Sequence, residues 1–265
     1  MLRKSLQFAL IIFILYACSN TPANEKPRNP EEALAYVLLG IPKIAEGDYN
    51  GAIADFTRAI ELDRRCIAAY QYRSHIHSLT GNTKLAFADI NNAITLAPLN
   101  AELYLDRGAL YHNRGDYNRA LDDENRFLEL ISGLNLPESH PLIIMGHHNR
   151  GKSYKMLNKY EESLQDFNFV IAQAPDNEDV YYDRAVSNYY LKNYQEALDD
   201  ITMSINLEPV GDGKYSFRSY AYSRLGMYQN ALDDLYIAIK MNPNVAHYAP
   251  RIKDLEDKIN SQAND

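Results

Sequence analysis

YSFRSYAYSRLGMYQNALDDLYIAIKMNP, residues 215–243, holds the pattern from which the rest of the chain can be read. Apolar residues recur every three or four positions from Tyr215 to Tyr222 and again from Ala231 to Met241, the spacing of one buried helix face, with Gly226 between the two runs. The stretch predicts a helical hairpin. Moving back 34 residues turns Pro243 into Pro209 and then Pro175, Tyr215 into Tyr181, Tyr228 into Tyr194 and Ala231 into Ala197. Six copies can be laid out, at residues 33–66, 67–100, 101–134, 144–177, 178–211 and 212–245, with nine extra residues, 135–143, between the third and the fourth.

A helical hairpin repeated with this period resembles the tetratricopeptide repeat (TPR) family. The resemblance implies an all-α, right-handed solenoid of six helical hairpins. Residues 246–265 are expected to supply a capping helix and tail, with Ile252, Leu255 and Ile259 on one face. The small residues Gly40, Ser74, Gly108, Gly151, Ala185 and Ser219 are expected to face Ala or Ser of the second helix, so that two backbones approach closely. Gly47, Gly81, Gly115 and Gly226 should close first helices in the left-handed conformation, with Asn158 in that role in repeat four and Lys192 replacing the glycine in repeat five. Two departures stand out. Pro42 falls inside the first helix of repeat one and should kink or fray it, and Glu124 sits where an apolar residue belongs.

At the amino terminus, Arg3 and Lys4 precede an apolar run from Phe8 to Ala17, the length of a secretory signal core and too short for a finished membrane span. Its end, Leu15-Tyr16-Ala17-Cys18, resembles the lipobox of bacterial lipoproteins, although Tyr16 is larger than usual there. That resemblance implies cleavage after residue 17 and acyl chains on Cys18; the other reading is an ordinary cleaved signal. Residues 18–32 read as the lipidated Cys and a polar, Pro/Asn-rich flexible tether.

Composition excludes several function classes. The formal charge is -8 and the pI about 5.4, the wrong sign for a protein that gains affinity by neutralising phosphates, so no nucleic acid partner is expected. Cys18 and Cys66 stand far apart with no CxxC, so neither a disulfide framework nor a zinc site is indicated, and Cys66 reads as a buried thiol. His75 with His77, and His147 with His148, point in different directions on a helix and read as structural. No Ser/His/Asp grouping, H-E-x-x-H or P-loop occurs. The expectation is a chain without catalysis, cofactor, metal or small-molecule substrate.

Two sets of residues remain. Arg73, Arg107, Arg150, Arg184 and Arg218 occupy one position of the first helices, and Asp55, Asp89, Asp123, Asp166, Asp200 and Asp234 one position of the second, which suggests a structural ion pair made in every unit. The second set lies on the first-helix face left over after packing, the face that in TPR proteins lines a concave groove for peptides. Here it turns from polar to basic to aromatic, through His148, Lys152, Lys155, Tyr182, Tyr189 and Tyr220. Lysines would attract an acidic segment and tyrosines supply buried area. The functional reading is an adaptor, lipid-anchored in a bacterial cell envelope, that binds an unidentified protein. An assembly factor or pilotin for an outer-membrane complex and a soluble secreted TPR protein stay open.

Overall fold

A computed structural model of the chain describes residues 29–246 and 248–262. The signal segment, Cys18 and the tether as far as residue 28 lie outside the described residues. Every regular element among those described is an α-helix. The chain forms two compact units, one ending at Leu134 and the other beginning at Asn135. The first holds three hairpins, α1 (Pro30–Ala45) with α2 (Tyr49–Leu62), α3 (Ile67–Leu79) with α4 (Thr83–Leu96), and α5 (Ala101–Asn113) with α6 (Tyr117–Ser132). The second holds α7 (Pro141–Met156) with α8 (Tyr160–Gln173), α9 (Glu178–Tyr190) with α10 (Tyr194–Leu207), α11 (Asp212–Arg224) with α12 (Tyr228–Met241), and a last helix α13 (Tyr248–Gln262).

Two helices begin earlier than repeat spacing suggests, and proline is the reason. Pro30 opens α1, so residues 30–32 belong to a helix and not to a tether. Asn29 accepts the Glu32 backbone N–H at 3.2 Å, and Glu31 and Glu32 face the positive end of the helix. Pro141 opens α7 within the expected insertion, where the His140 ring accepts the Leu142 N–H at 3.3 Å. A proline in the first turn gives up an N–H that had no partner anyway. Pro42 does not fray α1, which continues to Ala45. The carbonyl it leaves without a donor belongs to exposed Leu38, where water can serve.

The six hairpin turns share one closure. Gly226 has φ +75°, and Asn158 and Lys192 adopt the same left-handed region at +59° and +66°. In each turn the next N–H reaches back five residues, as in Asn82 to His77 (2.7 Å), Asn193 to Asn188 (2.9 Å) and Met227 to Tyr222 (3.0 Å), which satisfies a carbonyl at the helix end.

Within the hairpins, the small residues of Gly40 and Gly151 do not face Ala or Ser but the flat rings of Phe56 and Phe167. A methyl group added to Gly40 would lie 2.7 Å from Phe56 Cε1, and one added to Gly151 would lie 2.6 Å from Phe167 Cε1. Where the small residue is Ser74 it meets Ala86 of the second helix as expected, its hydroxyl donating to the Ala86 carbonyl at 2.9 Å. Volume is thus exchanged across the helix pairs of Gly40 and Gly151, where glycine admits a ring. Gly108 is the exception, with nothing nearer than 3.7 Å to a Cβ there. In the second unit Tyr248 and Leu255 of α13 are buried against Leu232 and Leu235 of α12. The Tyr248 hydroxyl donates to Asp212 at 2.5 Å, and burial together with that bond pushes its pKa up to about 12.

The Phe contacts separate two otherwise identical substitutions. Gly151→Ala should destabilise by about 1 to 3 kcal/mol through overpacking. Gly108→Ala should be neutral or stabilise by up to about 1 kcal/mol, from helix propensity. Urea unfolding followed by circular dichroism measures both; equal costs would remove the Gly–Phe exchange as an explanation.

Candidate functional site

The arginine and aspartate rows meet inside each hairpin. Arg73, Arg107, Arg150, Arg184 and Arg218 each donate two N–H groups to both oxygens of the aspartate sixteen residues on, Asp89, Asp123, Asp166, Asp200 and Asp234, at 2.5–2.9 Å. All five carboxylates are buried. Three arginines use a further nitrogen to reach the preceding hairpin's second helix, at Thr57 (2.9 Å), Asn91 (2.8 Å) and Asn168 (2.6 Å). Repeat one has Leu39 in the arginine position, and Asp55 pairs instead with Lys43 at 2.7 Å. Glu124 is also answered, by His112 at 3.0 Å. His147 approaches Asp166 at 2.7 Å and stacks on Phe169. Burial works to raise the Asp166 carboxyl, but the bonds from Arg150 and His147 outweigh it and hold it below its ordinary range.

The inferred groove is largely closed by contacts between consecutive first helices. Residues 35 apart face one another: Gln71 donates to Asp106 at 2.7 Å, His148 meets Asp183 at 3.0 Å, and the rings of Tyr182 and Phe217 lie 5.7 Å apart. Lys155 also pairs with Asp183, and Tyr189 packs against Phe217 at 5.6 Å. His148, Lys155, Tyr182 and Tyr189 are therefore engaged between repeats, contrary to the expectation that groove residues stand apart from helix packing. Helix-face periodicity alone does not register how near the next first helix comes. Lys152 and Tyr220 remain exposed, Tyr220 at 40%.

In the second unit a concavity of about 340 Å³ is lined by Leu164, Asn168, Arg184, Asn188 and Glu196, and a larger cleft, of about 460 Å³, opens between α11 and α13, walled by Tyr189, Tyr220, Tyr228 and Leu255. Two residues that the sequence reading passed over, Arg224 and Arg251, supply its charge. The Arg251 guanidinium lies 3.4 Å from the centre of the Tyr220 ring and donates to Ser216 Oγ (2.9 Å), Ser219 Oγ (3.1 Å) and the Ser216 carbonyl (3.4 Å). Burial pulls its pKa below the usual value. Arg224 donates to the Tyr189 hydroxyl at 3.0 Å and lies near the Tyr189 and Tyr194 rings. Among the described residues neither arginine has a carboxylate within ion-pair distance. The other two charges of the cleft, Asp254 and Lys258, pair with each other at 2.7 Å. A signal was present in the sequence: the position of Arg224 is Tyr190, Met156, Asn113 and Leu79 in other repeats. No cluster of His, Cys, Asp and Glu that could hold a metal occurs among the described residues.

Models of the tetratricopeptide repeat match residues 33–66, 90–122 and 148–202. Tetratricopeptide repeat protein 6 of Homo sapiens is 28% identical over 160 residues, which cover 60% of this chain and 29% of that protein. The chain spans less than a third of the length of the first curated relatives it matches. Among solved structures, PilW, titled a widely conserved type IV pilus biogenesis factor, superposes with a TM-score of 0.72 at 14% identity, over 85% of this chain and 98% of that one. PilF of Pseudomonas aeruginosa gives 0.70 at 14% identity, over 86% and 98%. Likeness at such identity is a likeness of fold.

Asp183 offers a test of the inter-repeat contacts. Its burial acts to raise the carboxyl, yet His148 and Lys155 outweigh that and hold it below its ordinary 3.8. Such a group stabilises the fold above its ordinary pKa and loses that contribution as pH falls through the lowered value. Asp183→Asn, which leaves Lys155 without its counter-charge, should cost about 3 to 5 kcal/mol at neutral pH. Its urea midpoint should also vary less with pH than that of the parent below about pH 5. Parallel pH profiles would mean that Asp183 contributes no charge-linked stability.

Proposed function

We propose that this chain, a tetratricopeptide repeat protein, is a non-catalytic adaptor held at a bacterial envelope membrane, with a protein partner seated in the cleft of α11 and α13. The observation that carries the reading is the composition of that cleft. Tyrosine and arginine are the side chains over-represented among residues that dominate binding energy, and here they line a concavity while most of the first-helix face is consumed by contacts between repeats. A fold of repeated hairpins supplies such a surface on rigid elements, and the carboxylates of the aspartate row are tied to arginine or lysine, not poised for proton transfer.

An assembly factor for an envelope complex is a special case of the same reading. The likeness in fold to PilW, described as a pilus biogenesis factor and matched over nearly its whole chain, favours it. To test the cleft, a photocrosslinking amino acid is placed at Tyr220 and, as a control, at Met203, which is exposed on α10. Captured proteins are then identified by mass spectrometry. A discrete partner from Tyr220 alone is the expected result; capture from Met203 alone would move the surface to the second helices.

Attachment is proposed through acyl chains on Cys18, on the strength of the basic start, the short apolar run and the Leu-Tyr-Ala-Cys ending. No helix among the described residues is long and apolar enough to cross a membrane. Mass spectrometry of the mature amino terminus should find a modified Cys18; an unmodified Cys18 at that terminus favours a soluble secreted protein, and an intact Met1 excludes both.

A further inference from the structure

The cleft's two arginines differ from those of the repeated row in what answers them. Each arginine of the row is neutralised by a fork-to-fork bond to a buried aspartate. Among the described residues Arg224 and Arg251 have only neutral acceptors, in a chain with 35 acidic and 27 basic side chains. A guanidinium fork is shaped for a carboxylate, and serine hydroxyls and a carbonyl satisfy it less fully. The one acidic group of the wall, Asp254, is committed to Lys258.

Resting on the adaptor reading, we propose that the cleft recognises an extended acidic segment of the partner, whose side-chain Asp or Glu carboxylates pair with Arg224 and Arg251 while an adjacent apolar residue lies against Tyr220 and Tyr228. Charge complementarity selects the occupant. Two arginines in one concavity of an otherwise acidic chain suit a few carboxylates, whereas a nucleic acid or membrane surface needs a broad basic face. The tyrosine rings supply the desolvated walls that make such pairs count, since an ion pair left in open water contributes little. Arg224 and Arg251 take over the part first assigned to Lys152 and Lys155, of which Lys155 is already matched by Asp183.

The test uses the full chain, purified in detergent, and random decapeptides displayed on phage through their carboxyl ends, so that only side-chain carboxylates are available. Enriched sequences should carry neighbouring Asp or Glu beside an apolar or aromatic residue. A synthetic, amidated representative should lose about tenfold or more in affinity for the Arg224→Gln, Arg251→Gln double variant and should bind less tightly as salt rises. Arg251 also ties α13 to α11, so the exposed Arg224→Gln variant is measured alone; a loss of about threefold or more with an unchanged melting curve is expected. Neutral or basic enriched sequences, no enrichment, unchanged affinity in Arg224→Gln, or phosphatidylglycerol vesicles bound through the same two arginines would each overturn the proposal. A partner crosslinked from Tyr220 in cells despite such a result leaves the adaptor reading in place and removes only the acidic segment.

Discussion

The bond from each first-helix arginine to the aspartate sixteen residues later sets the register on which the hairpins depend. The residue after each arginine of the row is small, and where that residue is Gly151 the one after the aspartate is the ring that packs against it, so that Arg150-Gly151 faces Asp166-Phe167. An electrostatic lock and a steric fit therefore stand side by side, and a slip of one would spoil the other. Because the carboxylate is buried, loss of its arginine leaves a charge that water cannot readily answer. Arg73, Arg107 and Arg184 also bond to Thr57, Asn91 and Asn168 of the preceding hairpin, so one side chain joins three helices. Repeat one, where Leu39 replaces the arginine, keeps its aspartate by recruiting Lys43 from the next turn of the same helix.

What recurs with the period was legible in the sequence because each recurrence answers a local need. The helix-ending glycines and Asn158 mark left-handed residues, and the Arg and Asp rows mark a bond made in each hairpin that has both residues. Exchanges between two positions were not legible one position at a time. Glycine opposite phenylalanine, at Gly40 with Phe56 and Gly151 with Phe167, emerges only when both columns of the repeat are read together. Glu124 looked like an error in a hydrophobic column until His112 supplied its partner. Pro30 and Pro141 were read as parts of non-helical segments, although proline is at home in the first turn of a helix.

The candidate site was legible only in part. Tyr189 and Tyr220 were named beside Lys152 and Lys155, whereas the arginines next to them in the structure are Arg224 and Arg251. A helix face computed from spacing shows which side chains share a direction, not what stands opposite them. Here the opposite wall is the next first helix, so that His148 and Lys155 converge on Asp183, and Tyr182 on Phe217. Arg251 could not be placed from the repeat pattern because it lies beyond the last copy, on α13.

In a chain built from copies, a side chain present in every unit is answered in every unit, so function is best sought where a departure from the pattern goes unanswered. Most departures here are compensated nearby: Asp106 by Gln71, Asp183 by His148 and Lys155, Glu124 by His112. Arg251 is different in kind. It bears a desolvation cost, seen in its lowered pKa, and recovers it only through serine oxygens and the face of Tyr220. Structure alone would be served as well by an uncharged residue on α13 that packed on Tyr220. A guanidinium kept half-buried is a donor set already oriented, and among the described residues no carboxylate, the strongest acceptor for it, stands within ion-pair distance.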